Sequence, residues 1–314
     1  MSHDHSANFE LASQAGPVTA DQEPAVVVGS GVWLAVSFGG GVNSTAMLCG
    51  MREREIRPSI ITFADTGSEM PQTYEHLAAM RGQVQAWWGL DIITVRKMHA
   101  GKFEGLEHEC LRGAKLPALA YGSRACSVKY KHEPQNRLLC KMLKQQGKTW
   151  PRVPKAKRLK AMGLTRMEWA TKYAPRPRAS VRAIGFDAGE PWRQKPSPDP
   201  WADNWYPLVE WGWQRTDCVE TIRRHGLAQP GKSACFFCPA SKRREVLALR
   251  SQPELLARAL EMERRAQTGA NRDVRGLGGE RNLWADWLAM DDAQAKLWNN
   301  IEPAHIPCGC YDGG

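Results

Sequence analysis

Acidic residues are in deficit in this 314-residue chain: 33 Asp and Glu stand against 43 Lys and Arg, leaving a formal net charge of +10. Such an imbalance points to a polyanionic partner. Cysteine is sparse and odd in number, with nine residues at 49, 110, 126, 140, 218, 235, 238, 308 and 310. That excludes a small secreted scaffold stapled by disulfides and leaves metal or redox use. Charge is missing altogether from Pro24 to Met51, a stretch long enough to raise the question of a membrane span or signal peptide. Six glycines with Ser, Asn and Thr inside it, and Asp4, Glu10, Asp21 and Glu23 before it, argue against both, so a cytoplasmic protein without membrane contact is expected. Internal repeats and low-complexity tracts are also absent. What is there is globular in proportion, 42% hydrophobic and 24% charged, with 13 Trp. The length suits two domains, or one large α/β domain carrying an insertion.

Residues 1–24 mix His, Asp, Ser, Gln and Pro without apolar periodicity and read as a disordered tail. Apolar, β-branched runs then recur at Val32–Ser37, Ser59–Phe63 and Asp91–Val95, with Val181–Phe186 as a fourth. Helix-compatible segments separate them, and Pro71–Trp88 has Pro in its first turn and Leu77, Ala78, Val84 and Trp87 at helical spacing. Strand, helix, strand in alternation demands a parallel sheet covered by helices, so a doubly wound α/β domain is expected over residues 25–200. From 201 to 314 the chain turns mostly helical, with Thr216–His225, Lys242–Gln252, Pro253–Gln267 and Asn282–Trp298 as helices, and carries five of the nine cysteines.

Residues 147–182 form a basic insertion. Lys148, Arg152, Lys155, Lys157, Arg158, Lys160, Arg166, Lys172, Arg176, Arg178 and Arg182 face a single acid, Glu168, so the surplus of this segment equals that of the whole chain. Trp150, Trp169 and Tyr173 are interleaved with these cations and would stack on bases if the segment contacts RNA or DNA. The alternative is a solvated basic face.

Ser37-Phe-Gly-Gly-Gly-Val-Asn-Ser-Thr45 follows the first strand and opens a helix. Three glycines let backbone N–H groups converge on an anion, and the helix N-terminus adds its unpaired N–H groups and dipole. Phosphate is the natural occupant, although neither a Walker A loop nor the dinucleotide fingerprint is present. Gly39-Gly40-Gly41-Val42-Asn43-Ser44-Thr45 resembles the Ser-Gly-Gly-x-Asp-Ser signature of the PP-loop ATP pyrophosphatase superfamily. Phe63-Ala-Asp-Thr-Gly-Ser-Glu-Met-Pro71 with Thr73, and Cys126-Ser-Val-Lys-Tyr-Lys-His-Glu-Pro134, are similar to segments of its PAPS reductase-like branch. The likeness extends through Ile184-Gly-Phe-Asp187, Tyr206-Pro-Leu and Cys235-Phe-Phe-Cys-Pro239. It implies ATP or a related adenine nucleotide at the carboxyl edge of the sheet, held by Ser37, Gly39, Gly40, Gly41, Asn43, Ser44 and Thr45. Asp65 would face the same crevice, and Lys129 and Lys131 would supply electrostatic work. The chain departs from the pattern at Gly39, where the first Ser stands, and at Asn43, where the Asp stands. An amide is a poorer Mg²⁺ ligand than a carboxylate, so Mg²⁺ would lean on Asp65, Glu69 or the nucleotide itself.

Cys235 and Cys238 are spaced to grip one metal from a single loop, with Lys232, Lys242, Arg243 and Arg244 nearby to favour thiolates. The resemblance implies that Cys126 and Cys218 complete the set, around a [4Fe–4S] cluster or a zinc ion. Unligated buried thiols are the alternative, and are the simpler account of Cys49, Cys110 and Cys140. Only Cys-Gly of the branch's C-terminal nucleophile motif is matched at Cys308-Gly309-Cys310, where a persulfide or transient disulfide is an open reading. The expectation that follows is an ATP-dependent sulfur-transfer enzyme that adenylylates a nucleic acid, served by a sulfur-donor protein. A reductase of a sulfonucleotide such as PAPS, with Cys308 or Cys310 as nucleophile, and a non-catalytic nucleic-acid-binding module are the alternatives.

Overall fold

The computed structural model describes residues 31–123, 125–174, 178–268, 276–278 and 282–289. Its strands are β1 (Trp33–Phe38), β2 (Ile60–Asp65), β3 (Ile92–Arg96), β4 (Met98–His99), β5 (Lys102–Phe103), β6 (Ser180–Ile184) and β7 (Ala202–Trp205). Its helices are α1 (Val42–Glu53), α2 (Pro71–Trp88), α3 (Leu106–Arg112), α4 (Ala125–Ser127), α5 (Glu133–Gln145), α6 (Ala156–Ala161), α7 (Arg166–Tyr173), α8 (Pro207–Glu210), α9 (Arg215–Arg224), α10 (Arg243–Ala248), α11 (Pro253–Thr268) and α12 (Trp284–Ala289). Among the described residues no helix is long and apolar enough to cross a membrane.

Five strands pair in parallel in the order β3-β2-β1-β6-β7, while β4 and β5 form a small antiparallel hairpin. The β-branched and aromatic content of Ile60–Asp65 suits a strand buried at every residue, which is what a parallel sheet covered on both faces requires. Alternation along β1 divides the layers. Leu34, Val36 and Phe38 pack with Ala46 and Met47 of α1, Leu77 and Met80 of α2 and Ile222 of α9. Ala35 belongs to the opposite layer, with Leu139 and Leu143 of α5. Pro71 opens α2 where its missing N–H costs nothing, and Gly89 closes it in the left-handed region at φ 67°. The strand order reverses between β1 and β6, and in open α/β sheets ligands bind at the carboxyl ends of the strands at such a reversal.

The expected division at residue 200 is corrected by the sheet itself. β7 is its fifth strand, and α9 packs along α1 with Cys218 and Ile222 in the same core as β1. A second apolar cluster gathers Leu106 and Cys110 of α3, Phe236, Phe237, Val246 of α10, Met262 of α11 and Trp284 of α12. The helical part therefore begins after α9 and takes α3 from the first half of the chain. The expected tail at 1–24, the later part of Asn282–Trp298, and Cys308 and Cys310 lie outside the described residues.

The basic insertion folds as a helical hairpin. Leu159 of α6, Trp169 and Ala170 of α7, and the flanking Val153 and Leu164 make a small core of their own. Gly163 turns the chain at φ 66°, and Thr165 and Glu168 form a reciprocal cap of α7. Arg178 anchors the hairpin from within, its guanidinium donating to the carbonyls of Ala170, Asp199 and Ala202 at 2.6–3.0 Å. Arg166 and Arg182 converge on the Asp199 carboxylate at 3.2 and 3.0 Å. Two expectations change accordingly. Trp169 is a core residue and presents no free face to a base, while the half-buried Trp150 packs against Trp201 with ring centroids 5.9 Å apart; Tyr173 is exposed. Arg178 and Arg182 are buried structural cations, whereas Arg152, Lys155, Lys157, Arg158, Lys160 and Lys172 lie on the surface.

Candidate functional site

The glycine turn sits at the carboxyl end of β1, at the reversal of strand order. Ser37 is buried in the strand, and Gly40 has φ 82°, where a Cβ would be strained and would meet Thr73 at 3.0 Å. Gly41 is the N-cap of α1 and contributes no side-chain oxygen, so the first amides of the helix have no side-chain cap, and its first turn holds no acid. Gly185, just beyond β6, lies so close that a Cβ there would stand 3.1 Å from the Ser44 nitrogen. A phosphate group at this cradle of bare main chain would cap the amides that lack a side-chain cap. The hydroxyls expected to help are occupied within the loop. Ser44 accepts from the Gly41 N–H at 3.2 Å, and Thr45 donates to the Gly41 carbonyl at 2.9 Å while meeting His76 Nε2 at 2.8 Å. The main-chain N–H groups of Gly39 and Gly40 and the amides of Val42, Asn43 and Ser44 at the start of α1 are thus the donors that remain.

Asn43 is fully buried and clamped from both sides. Its Nδ2 donates to Asp187 Oδ2 at 3.0 Å, and its Oδ1 accepts from Arg215 Nη1 at 2.8 Å. Asp187 also accepts from the Gly189 N–H at 2.9 Å. Asp187, three residues beyond β6, thus sets a carboxylate on one side of Asn43, and Arg215 at the start of α9 sets a cation on the other. Sequence reasoning assigned no role to Asp187 or Arg215, because each touches Asn43 across more than 140 residues of chain. Asp65 lies at the end of β2 as expected, but its oxygens are engaged: Oδ1 accepts from the Gly67 N–H at 2.7 Å and the Tyr74 hydroxyl at 2.8 Å, and Oδ2 from Arg96 Nε at 2.8 Å. It holds the turn after β2 in place. Burial and this bond to Asp65 push the Tyr74 hydroxyl well above its ordinary value.

The segment after β2 carries the cysteines to the same edge. Glu69 pairs with Cys235 in an antiparallel bridge, reinforced by the Met70 N–H to the Ala234 carbonyl at 3.2 Å and the Phe236 N–H to the Ser68 carbonyl at 3.0 Å. Two residues before Cys235, the Ser233 hydroxyl donates to the Gly39 carbonyl. Cys126, Cys235 and Cys238 share one apolar cluster with Leu119, Ala234 and Ala240. The Thr66 hydroxyl donates to Glu69 Oε1 at 3.0 Å and lies 3.2 Å from Cys235 Sγ. Burial raises the Cys235 thiol well above its usual range, with the Glu69 charge adding to it, and holds Cys238 at about 11.

Cys218 does not join them. It is buried on α9 in the core beside the sheet, with its thiol pushed up to about 12 by desolvation. It lies in a different apolar cluster from Cys126, Cys235 and Cys238, and among the described residues no three His, Cys, Asp or Glu side chains stand together as a metal site. Lys131 is buried, 3.4 Å from Glu69 Oε1, in a π-turn spanning Val128–His132. Such turns are frequent at functional positions. Lys129 is exposed and lines a different space, a cavity of about 170 Å³ with Cys110, Cys126 and Tyr130 in its wall. The two lysines expected to act together therefore occupy separate environments. Compared with protein-family models and with curated proteins, the chain matches none.

Proposed function

We propose that the chain is an ATP-using enzyme that adenylylates a nucleic acid and prepares it to receive sulfur. The observation that supports this most is the stitch at residues 233–235: one short segment bonds the Gly39 carbonyl through Ser233 and pairs Cys235 with Glu69 at the end of β2. An anion cradle and a trio of sulfur atoms are thereby held at one edge of the sheet.

In this reading the polyphosphate lies against the main chain at 39–45 and the first amides of α1, with Arg215 as the neighbouring cation. A substrate oxygen attacks the α-phosphorus, its bond to pyrophosphate breaks, and pyrophosphate leaves. Fixed amides and a guanidinium offset the charge that grows on the phosphates without reorganising. A sulfur nucleophile, brought as sulfide by a donor protein, then attacks the activated carbon, the C–S bond forms and AMP departs with the original oxygen. Mg²⁺, if bound, would be held by Asp187, a carboxylate that touches the loop, and would offset phosphate charge. The exposed cations of the hairpin α6–α7 would bring the polyanion to the crevice.

The test is to incubate the purified chain with ATP labelled at the γ-phosphate, Mg²⁺, and either mixed tRNA or single-stranded DNA. Pyrophosphate release that depends on the nucleic acid is the expected result. Release of orthophosphate, or no release with either polymer, overturns the reading, and sulfite produced from PAPS and thioredoxin would replace it with sulfonucleotide reduction.

A further inference from the structure

Trp192 is 64% exposed, more than any other large apolar side chain among the described residues. A single apolar group at a surface needs no explanation by itself. Its setting here is different. Pro191 precedes it, and the loop that carries it leaves β6 through Asp187, the residue that bonds Asn43 in the anion cradle. The residues on either side are tied down. The Ala188 N–H donates to the Trp213 carbonyl at 2.7 Å, Glu190 and Arg193 pair at 2.8 Å, and the Arg193 guanidinium lies 3.9 Å from the centre of the Phe186 ring. Phe186 stacks on Tyr206 at 5.6 Å, and Tyr206 in turn exchanges hydrogen bonds of 2.7 and 2.9 Å with the backbone of Lys195. The indole is thus held outward by a fixed loop, with exposed Gln194 and Lys195 after it. Four residues of chain lie between it and Asp187, so its backbone stands within about 17 Å of that residue.

We infer that Trp192 is a stacking platform for a nucleobase at the rim of the phosphate cradle. Every base has an apolar π-face, and a rigid indole loses little side-chain freedom on covering one. The exposed Lys195 three residues on suits the phosphate attached to that base, whereas an acidic or apolar protein partner would have no use for the adjoining cradle. The inference rests on the proposed function. The base is either one in the nucleic-acid substrate or the adenine of ATP, and the two are separable.

Trp192→Ala and Trp192→Phe would each be titrated with a fluorescein-labelled single-stranded oligonucleotide, read by anisotropy, and with ATP, read by calorimetry. Thermal unfolding confirms that both variants fold, as expected for so exposed a side chain. The Ala variant should lose on the order of tenfold in affinity in one arm while Phe keeps most of it. Loss for the oligonucleotide assigns the platform to a substrate base, and loss for ATP assigns it to adenine. Wild-type protein that binds both ligands, with the Ala variant within twofold of it in both arms, overturns the platform and leaves the proposed function standing. Wild-type protein that binds neither ligand removes both.

Discussion

Asn43 shows how one side chain ties the anion loop to the rest of the sheet. Its amide donates to a buried carboxylate and accepts from a guanidinium, so each of its two polar ends meets a group of matching character. Asn43→Asp would set a second carboxylate 3.0 Å from Asp187 and remove the donor that satisfies it. The expected loss of stability is about 1–3 kcal/mol, read from urea unfolding. Combining it with Asp187→Asn restores an amide opposite a carboxylate and should recover most of that loss. A single variant as stable as the wild type would show that the clamp carries no weight.

At the scale of elements, the hairpin α6–α7 is a separately packed device whose charges point outward. Replacing Lys155, Lys157, Arg158 and Lys160 together by Gln should weaken oligonucleotide binding at low salt and leave basal ATP affinity unchanged. For every phosphate of the single strand that the variant no longer neutralises, the slope of log affinity against log salt should become shallower by about 0.7. An unchanged slope would move the polyanion elsewhere. The strands of the sheet centre were legible because runs such as Ile60–Phe63 and Val181–Ile184 are β-branched and bounded by turns. β7 was not, since Ala202-Asp-Asn-Trp205 holds two residues that strands avoid and becomes a strand by lying along β6 at the sheet edge. α5 carries Leu139 and Leu143 four apart on its buried face, a pair too sparse by itself to mark a helix among so many polar neighbours. The glycine turn was legible because its chemistry is local. The partners of Asn43, the packing of Trp169 and the isolation of Cys218 depend on contacts far apart in the chain, which spacing cannot reveal.

Taken whole, the molecule should be sensitive to mild acid through His132. Burial and the nearby Arg182 charge hold its imidazole at about 4, against an ordinary value of 6.5, and the opposing pull of Asp199 does not overcome them. The unfolded chain binds a proton at His132 near pH 6.5, and the folded chain does so only near 4. Stability therefore falls as the pH is lowered through this window and is insensitive to His132 above it. Denaturant unfolding followed from pH 7 to 4 should show the decline, and His132→Gln should flatten it; an identical slope in the variant would assign the acid limb to other groups.

β1 is hydrogen-bonded to a neighbour on each side, β2 and β6, and ends at Gly39. Its amides can meet deuterium only when the sheet comes apart, while the α6–α7 hairpin can open on its own small core. Val36–Phe38 should accordingly exchange at the slowest, global rate and residues 156–173 early. The turn that would grip an anion thus hangs from the least yielding strand in the molecule, and its readiness owes nothing to the ligand's arrival.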